Sequence, residues 1–245
     1  MIFPEFIGGQ YDDRTMQIIK EEPIRDFILI HIIFGLVAAI VLLIPFGGVI
    51  SGKVLILVLT YNGLVIVYFH TKGYKDWQTI WIFSFILSLL MIVPDWYLAR
   101  TLGALYFPDD GFPMIGGSIP IYMAGLWAIP FFIILFIGNE VQKRRSLQSA
   151  YGAVIILSTV IFTLAELTLV YLPSWTATVS GMTGNLAWYI IIPELLLGLS
   201  LFICYNYIKE RQYWMKIVGA VTVMIFYIGN ASFFYFLIET LLLGS

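Results

Sequence analysis

Three acids stand in surroundings where a carboxyl is costly. Asp95 follows Pro94 in "MIVPDWYLAR", Glu194 follows Pro193 in "IIIPELLLG", and Glu166 stands in "FTLAELTL". A carboxyl inside a membrane marks a functional site by default, because it must face protein or water. Burial in a low dielectric favours the neutral form of a carboxyl, and a neutral acid can donate a proton. The preceding prolines add a second signal. A proline inside a helix leaves a carbonyl one turn back without its donor and kinks the helix. Such a break is tolerated where protein or a cavity satisfies the freed group. Proline followed by acid, twice, reads as two walls of one polar pocket; the alternative is two ordinary kinks. Asp95 has a further alternative, an interfacial acid paired with Arg100 one to two turns on. Glu166 is deeper than a loop residue but close enough to a helix end to be interfacial, and Glu239 reads as an ordinary boundary residue.

Aromatic residues gather near the same acids: Trp96, Tyr97, Tyr122, Trp127, Trp188 and Tyr189. Most tryptophans in a membrane chain belong to interfacial belts, so only those near the acids are read as substrate-binding. Asn62 and Asn230 are either pocket members or interhelical hydrogen bonds. The chemistry these residue types suit is protonation of an alkene or epoxide of an apolar isoprenoid. Aromatic faces then stabilise the carbocation, and a dry pocket keeps water from quenching it. The catalytic candidates are Asp95, Glu166 and Glu194, with Glu194 or Asp95 as donor and Glu166 as relay.

The elements that must position these residues follow from hydropathy. The chain has 245 residues, 60% hydrophobic and 11% charged, against about 25% charged in an ordinary soluble domain. Seven stretches reach the length of about 20 apolar residues that a span requires: 27–50, 54–70, 77–99, 119–140, 148–171, 185–208 and 215–243. The expected fold is all-α, a polytopic bundle of seven transmembrane helices. Eleven of the thirteen Lys and Arg fall on the side that seven spans assign to the N-terminus, and only Lys53 and Arg100 fall on the other. The positive-inside rule then makes the N-terminus cytoplasmic and the C-terminus external. That direction collects Asp95, Glu166 and Glu194 in the outer half of the bundle. Residues 1–26 form a polar cytoplasmic segment with a short amphipathic stretch around Met16, Ile18 and Ile19, and 27–245 form the helical domain. No cleavable signal peptide is expected. The loop from Gly103 to Pro120 carries four Gly and three Pro beside Phe107, Phe112, Met114 and Ile115. It is expected to fold back over the acids. The plasma membrane and the endoplasmic reticulum both fit this composition.

Other chemistries are disfavoured. His31 and His70 lie toward the cytoplasmic side, away from the acids, so His-rich metal sites are not expected, and there is no paired-aspartate motif such as prenyl-diphosphate enzymes use. No Gly-rich phosphate loop or Ser–His pairing occurs. Lys216 sits at the mouth of the last span, which argues against a retinal Schiff base. Neither a metal nor another cofactor is expected. A net charge of −2 without a basic, aromatic-laced surface leaves no nucleic-acid partner. The expected partners are membrane lipids and an apolar, isoprenoid-like substrate.

In length, span number, membrane acids and missing metal motifs, the chain resembles the small membrane-bound terpene cyclases of meroterpenoid and indole-diterpene pathways. "PDWYL" and "PELLL" are similar to the proline–acid motifs of the membrane-embedded lycopene cyclase family, although that family doubles the acid where Trp96 and Leu195 stand here. The resemblance implies an isoprenoid cyclase with catalytic roles at Asp95 and Glu194. The alternatives are a proton-coupled transporter of a small or lipophilic solute, with the proline breaks as hinges, and a non-catalytic membrane scaffold.

Overall fold

The computed structural model describes residues 13–43, 49–168, 172 and 174–244, with side chains from Glu21 onward. Among them, seven helical stretches are long and apolar enough to cross a membrane: Glu21–Leu43, Ile50–Lys72, Lys75–Arg100, Met123–Arg144, Leu147–Thr168, Trp188–Ile208 and Tyr213–Leu242. They match the seven hydropathy maxima, and the second, expected to be short, is of ordinary length. Helix α1 runs unbroken from Asp13 to Leu43. The polar residues from Asp13 onward are thus helical and continuous with the first apolar stretch. Once an apolar helix is nucleated, adding Lys, Glu, Gln and Arg residues to its end is cheap. The side chains of Met16, Ile18 and Ile19, which carry the expected amphipathic signal, lie outside the described residues.

Helices α2 (Ile50–Lys72) and α3 (Lys75–Leu90) form a hairpin whose tight turn places Gly73 at φ 69°. Prolines then divide two of the long stretches. The third consists of α3 and α4 (Ile92–Arg100), separated at Met91. The fourth consists of α5 (Met123–Leu126) and α6 (Ala128–Arg144), separated at Trp127. In both cases a proline, Pro94 or Pro130, stands three residues after the break, where its missing N–H falls in a first turn that lacks helical acceptors. The ladder resumes at once: Asp95 N donates to Met91 O at 3.1 Å, and Phe131 N to Trp127 O at 3.2 Å. Pro193 lies inside α8 (Trp188–Ile208), one turn from its start.

Close packing sets the rest of the bundle. Helix α7 (Leu147–Thr168) lies between α6 and α8, and α9 (Tyr213–Tyr235) lies between α3 and α8. Small residues let these backbones approach. A Cβ on Gly138 would stand 2.7 Å from Val154, and one on Gly198 would stand 2.6 Å from the Ser158 Cβ. The end of the bundle at the α2–α3 and α6–α7 turns is filled with rings. Phe27 stacks on Phe136 at 4.1 Å between centroids, and Trp77 meets Phe132 and Phe136 edge-on at 5.6 and 5.5 Å. Ion pairs border it: Lys143 to Asp76 at 2.8 Å and Lys72 to Asp26 at 3.6 Å. The opposite end is roofed by two loops, 101–122 and the one leading into α8. Strand β1 (Leu105–Tyr106) pairs antiparallel with β4 (Thr176–Ala177), joining the two. Strands β2 (Met114–Ile115) and β3 (Ile119–Pro120) form a hairpin, as do β5 (Met182–Thr183) and β6 (Leu186–Ala187). The chain ends in a π-helical segment, Phe236–Leu242, continuous with α9.

The α7–α8 contact yields a direct test. Gly198→Val should lower stability by about 1–3 kcal/mol, the usual cost of overpacking a tight contact. Gly152→Ala on α7, where an added methyl meets nothing within 4 Å, should be neutral or stabilise by up to about 1 kcal/mol. Thermal unfolding in detergent distinguishes the two. Equal stability of Gly198→Val and the parent would remove the close approach.

Candidate functional site

The three acids meet in one cavity. It lies under the roof, has a volume of about 220 Å³, and is walled by α4, α5, α6, α7, α8 and α9. Asp95, Glu166 and Glu194 all line it, within electrostatic range of one another. The rest of the wall is almost wholly apolar, with Leu98, Met123, Ile133, Phe162 and Ile190 among its residues. Each acid comes from a different helix. Pro94 and Pro193 stand immediately before two of them, and Pro130 itself lines the space between.

The acids differ in their partners. Trp127 Nε1 donates to Asp95 Oδ2 at 3.0 Å, and Trp175 Nε1 donates to Glu166 Oε1 at 3.0 Å. Among the described residues none donates a hydrogen bond to the carboxyl of Glu194, although that residue is only 5% exposed. None of the three acids forms an ion pair with a described Lys or Arg. The alternative Asp95–Arg100 pair is absent among the described residues: Arg100 instead bonds the Ser118 hydroxyl and, at 3.3 Å, the Gly117 carbonyl. The reason is helical phase. Five residues turn a side chain through about 500°, which carries Arg100 from the cavity face toward the β2–β3 hairpin.

Phase also sorts the aromatic candidates. Trp127 and Tyr189 line the cavity. Trp96 and Trp188, each one residue from a lining residue and so about 100° around the helix, are exposed instead. Trp96 lies against the β2–β3 turn, 3.7 Å from the Cβ position of Gly116, and Trp188 Nε1 donates to Thr183 at 2.9 Å. Tyr97 bonds Ser232 at 3.1 Å, tying α4 to α9. Tyr122 is buried outside the wall and donates to the Ser174 carbonyl at 2.9 Å, fixing the second loop. Asn62 joins three helices: it donates to Val58 O and Gly125 O at 2.8 and 3.3 Å and accepts from Trp81 Nε1 at 2.9 Å. Asn230 donates to Phe226 O of its own helix at 2.7 Å. These six residues therefore brace the bundle or face outward and do not form the cavity wall.

The roof explains what hydropathy missed. The first part of the 103–120 loop does fold over the acids, through Ala104, Leu105 and Phe107. Its second part turns away as the β2–β3 hairpin, where Ser118 N donates to Ile115 O at 3.2 Å and the two central residues of that turn, Gly116 and Gly117, have φ 57° and 66°, positive values that favour glycine. The loop before α8 supplies Trp175, Ala177 and Ala187. It is held by Glu239, which is buried and accepts from the backbone N–H groups of Ser180 and Gly181 at 2.9 and 3.2 Å. An acid one turn from the end of a last helix gives no sign in sequence that it clamps a distant loop. Tyr227, on α9, is a further lining residue; its ring lies 6.2 Å from that of Trp127. Its position seven residues before Phe234 and four after Val223 on one helical face was the available signal.

The family model described as a domain of unknown function, DUF6989, matches residues 92–238, more than half of the chain, and the chain belongs to that family. Every residue lining the cavity falls within the match. No curated protein and no solved structure matches the chain.

The Glu239 clamp predicts a local effect. Hydrogen bonds to a charged group contribute about 1.5–3 kcal/mol each, and a factor of ten corresponds to about 1.4 kcal/mol. Glu239→Ala should therefore speed hydrogen exchange at the Ser180 and Gly181 amides at least about tenfold, with the α8 interior unchanged. Glu239→Gln, which retains one acceptor, should fall between. Unaltered exchange in the alanine variant would show that other contacts hold the loop.

Proposed function

We propose that this member of the DUF6989 family is a multi-pass membrane enzyme that cyclises an apolar isoprenoid by carboxylic-acid protonation. The observation that carries the reading is Glu194, a carboxyl in an apolar cavity that takes no hydrogen bond from a described residue and has no cation beside it. Burying an unpaired carboxylate costs several kcal/mol, so the form this cavity favours is the neutral acid. The proton passes from the Glu194 carboxyl to an alkene carbon or an epoxide oxygen. The cation so formed closes a ring by taking the electron pair of a second alkene, and a final C–H proton returns to a carboxylate. Asp95 and Glu166, each held by an indole N–H, are placed to accept or relay it. The rings of Trp127, Phe162, Tyr189 and Tyr227 supply faces for cation–π attraction. No metal or redox cofactor enters these steps.

On this reading the positive-inside rule, applied to the Lys- and Arg-rich helix ends, supports a cytoplasmic aromatic-filled end, with the cavity toward the outer or lumenal side and the C-terminus external. The plasma membrane and the endoplasmic reticulum both satisfy this arrangement. A proton-coupled transporter would need the same site to open to either side in turn. The aromatic block of Phe27, Trp77, Phe132 and Phe136 fills the end of the bundle away from the cavity, which favours chemistry in the cavity over passage through the bundle.

Vesicles containing the protein, offered polyprenyl epoxides and linear carotenoids and analysed for cyclised product by mass spectrometry, test the proposal. Glu194→Gln should lower turnover about 10²–10⁴-fold, the usual effect of losing a general acid, while leaving thermal unfolding nearly unchanged. Should the parent protein give no product yet move a solute with the proton gradient, the transporter replaces the enzyme. With neither activity, a scaffold remains.

A further inference from the structure

We propose that the cavity loads sideways, through a gap between α6 and the C-terminal half of α7, and that what enters is a single apolar lipid chain from the bilayer. The inference rests on the reading of this bundle as membrane-spanning; it does not depend on cyclisation. Lining residues on α4, α8 and α9, including Asp95, Leu98, Ile190, Glu194 and Tyr227, are buried, as is Phe162 on α7. The partly exposed ones include Leu105, Trp127, Glu166, Trp175 and Ala177, but Leu105 and Ala177 are paired in the β1–β4 ladder, and Trp127 and Trp175 are tied to Asp95 and Glu166. Ile129, Pro130, Ile133, Ile161 and Ala165 border the cavity and the outer surface with no such tie, and all five belong to one pair of neighbouring helices, with Leu126 of α5 beside them.

The packing explains why the gap is there. Helices α6 and α7 are antiparallel and joined by a short turn after Arg144. Near that turn they are in close contact, where Gly138 admits Val154. Toward the roof, no glycine draws them together. Pro130 and the break at Trp127 end the regular course of α6, and the cavity lies between the two helices. The roof above is closed by hydrogen bonds: the β1–β4 ladder, Thr178 N to Ala104 O at 3.0 Å, and Tyr122 to Ser174.

The chemistry of the rim selects the occupant. Its five residues are all apolar, and the neighbouring outer face of α7 presents Ile156, Val160 and Leu164, each exposed. A rim of this composition meets hydrocarbon, so the ligand is a molecule dissolved there. A volume of about 220 Å³ lies below the usual range for small-molecule sites, about 300–1,000 Å³. That suits one chain rather than a two-chain lipid with its headgroup. A chain passing between Ile133 and Ala165 runs toward Glu194 on the far wall.

The test uses the full chain in phosphatidylcholine vesicles containing a trace of a C20 prenol with a photoactivatable diazirine. After illumination, adducts are mapped by mass spectrometry. The expected result is labelling of the buried residues Glu194 and Tyr227 as well as of outward Ile156 and Leu164. Ala165→Trp, which fills the gap, should reduce the interior adducts at least tenfold and leave the outward ones unchanged. Ile133→Trp on the opposite edge should do the same, and carries the test should Ala165→Trp fail to fold. Thr176→Trp in the roof, on β4 but outside the cavity wall, should leave interior labelling intact. Interior adducts that persist in both rim variants, or that vanish only in Thr176→Trp, would overturn the lateral route in favour of entry through the loops. Outward labelling without interior adducts in the parent would show that no chain enters. Loss of outward labelling as well would remove the membrane reading itself. Labelling with no turnover would leave the portal standing and remove the cyclase.

Discussion

Two indole N–H groups determine how the acids are held, and much of the site follows from that choice of donor. A carboxyl taken out of water needs a hydrogen bond, and in most buried sites the donor also brings a positive charge. Here Trp127 serves Asp95 and Trp175 serves Glu166. An indole supplies the hydrogen bond without a counter-charge. The acids are therefore fixed in direction but not neutralised by a cation, and Glu194 has not even an indole among the described residues. The same two bonds are structural ties. One joins the start of α6 to α4, and the other joins the roof to α7. The side chains that orient the acids are thus also the ones that enclose them.

Enclosure at one end depends on disorder in the helical ladder there and on order at the other. Pro94, Pro130 and Pro193 interrupt or bend three of the wall-forming helices beside the cavity. Each removes an N–H and keeps the helix from running straight to its end. The opposite end has no such break in α3, α6 or α8, and large rings pack there in mutual contact. An apolar bundle with uniform packing would have no room for a ligand. The cavity lies at the end where Pro94, Pro130 and Pro193 fall in wall-forming helices, while Gly138 and Gly198 let the helices close in the middle of the bundle.

Much of the architecture is legible in the sequence because a membrane-length run of apolar residues is a strong one-dimensional signal. All seven helices were located that way, and the proline–acid pairs pointed to a cavity that the structure contains. Side-chain direction was less legible. Asp95 and Trp96 share a depth but not a face, and depth alone cannot separate them; Trp127 and Tyr189 line the space while Trp96 and Trp188 do not. Spacing in the sequence leaves a pair between Arg100 and Asp95 open as an alternative, and Arg100 turns instead to a hairpin that hydropathy cannot show. Long-range clamps were silent altogether. Glu239 binds amides about sixty positions earlier in the chain, and Trp175 looks like any interfacial tryptophan until the loop that bears it is folded over Glu166.

The family match sharpens the division of labour within the chain. It begins at Ile92, next to the Met91 break, and takes in every cavity-lining residue, while α1, α2 and α3 fall outside it. Those first helices still act on the site, but through structure. Asn62 of α2 bonds the Gly125 carbonyl of α5 and receives the Trp81 indole of α3, so it fixes the short helix that leads into Trp127. Gly125 leaves no space for a Cβ, which would stand 2.8 Å from Val58. The position of the indole that holds Asp95 is therefore set two steps away, by an amide and a missing methyl group on the side of the bundle that forms no part of the cavity wall. A site whose acids have no cationic partner tolerates little slack in its neutral donors. The outer helices supply that rigidity, and the α4-to-α9 segment supplies the acids and the cavity wall.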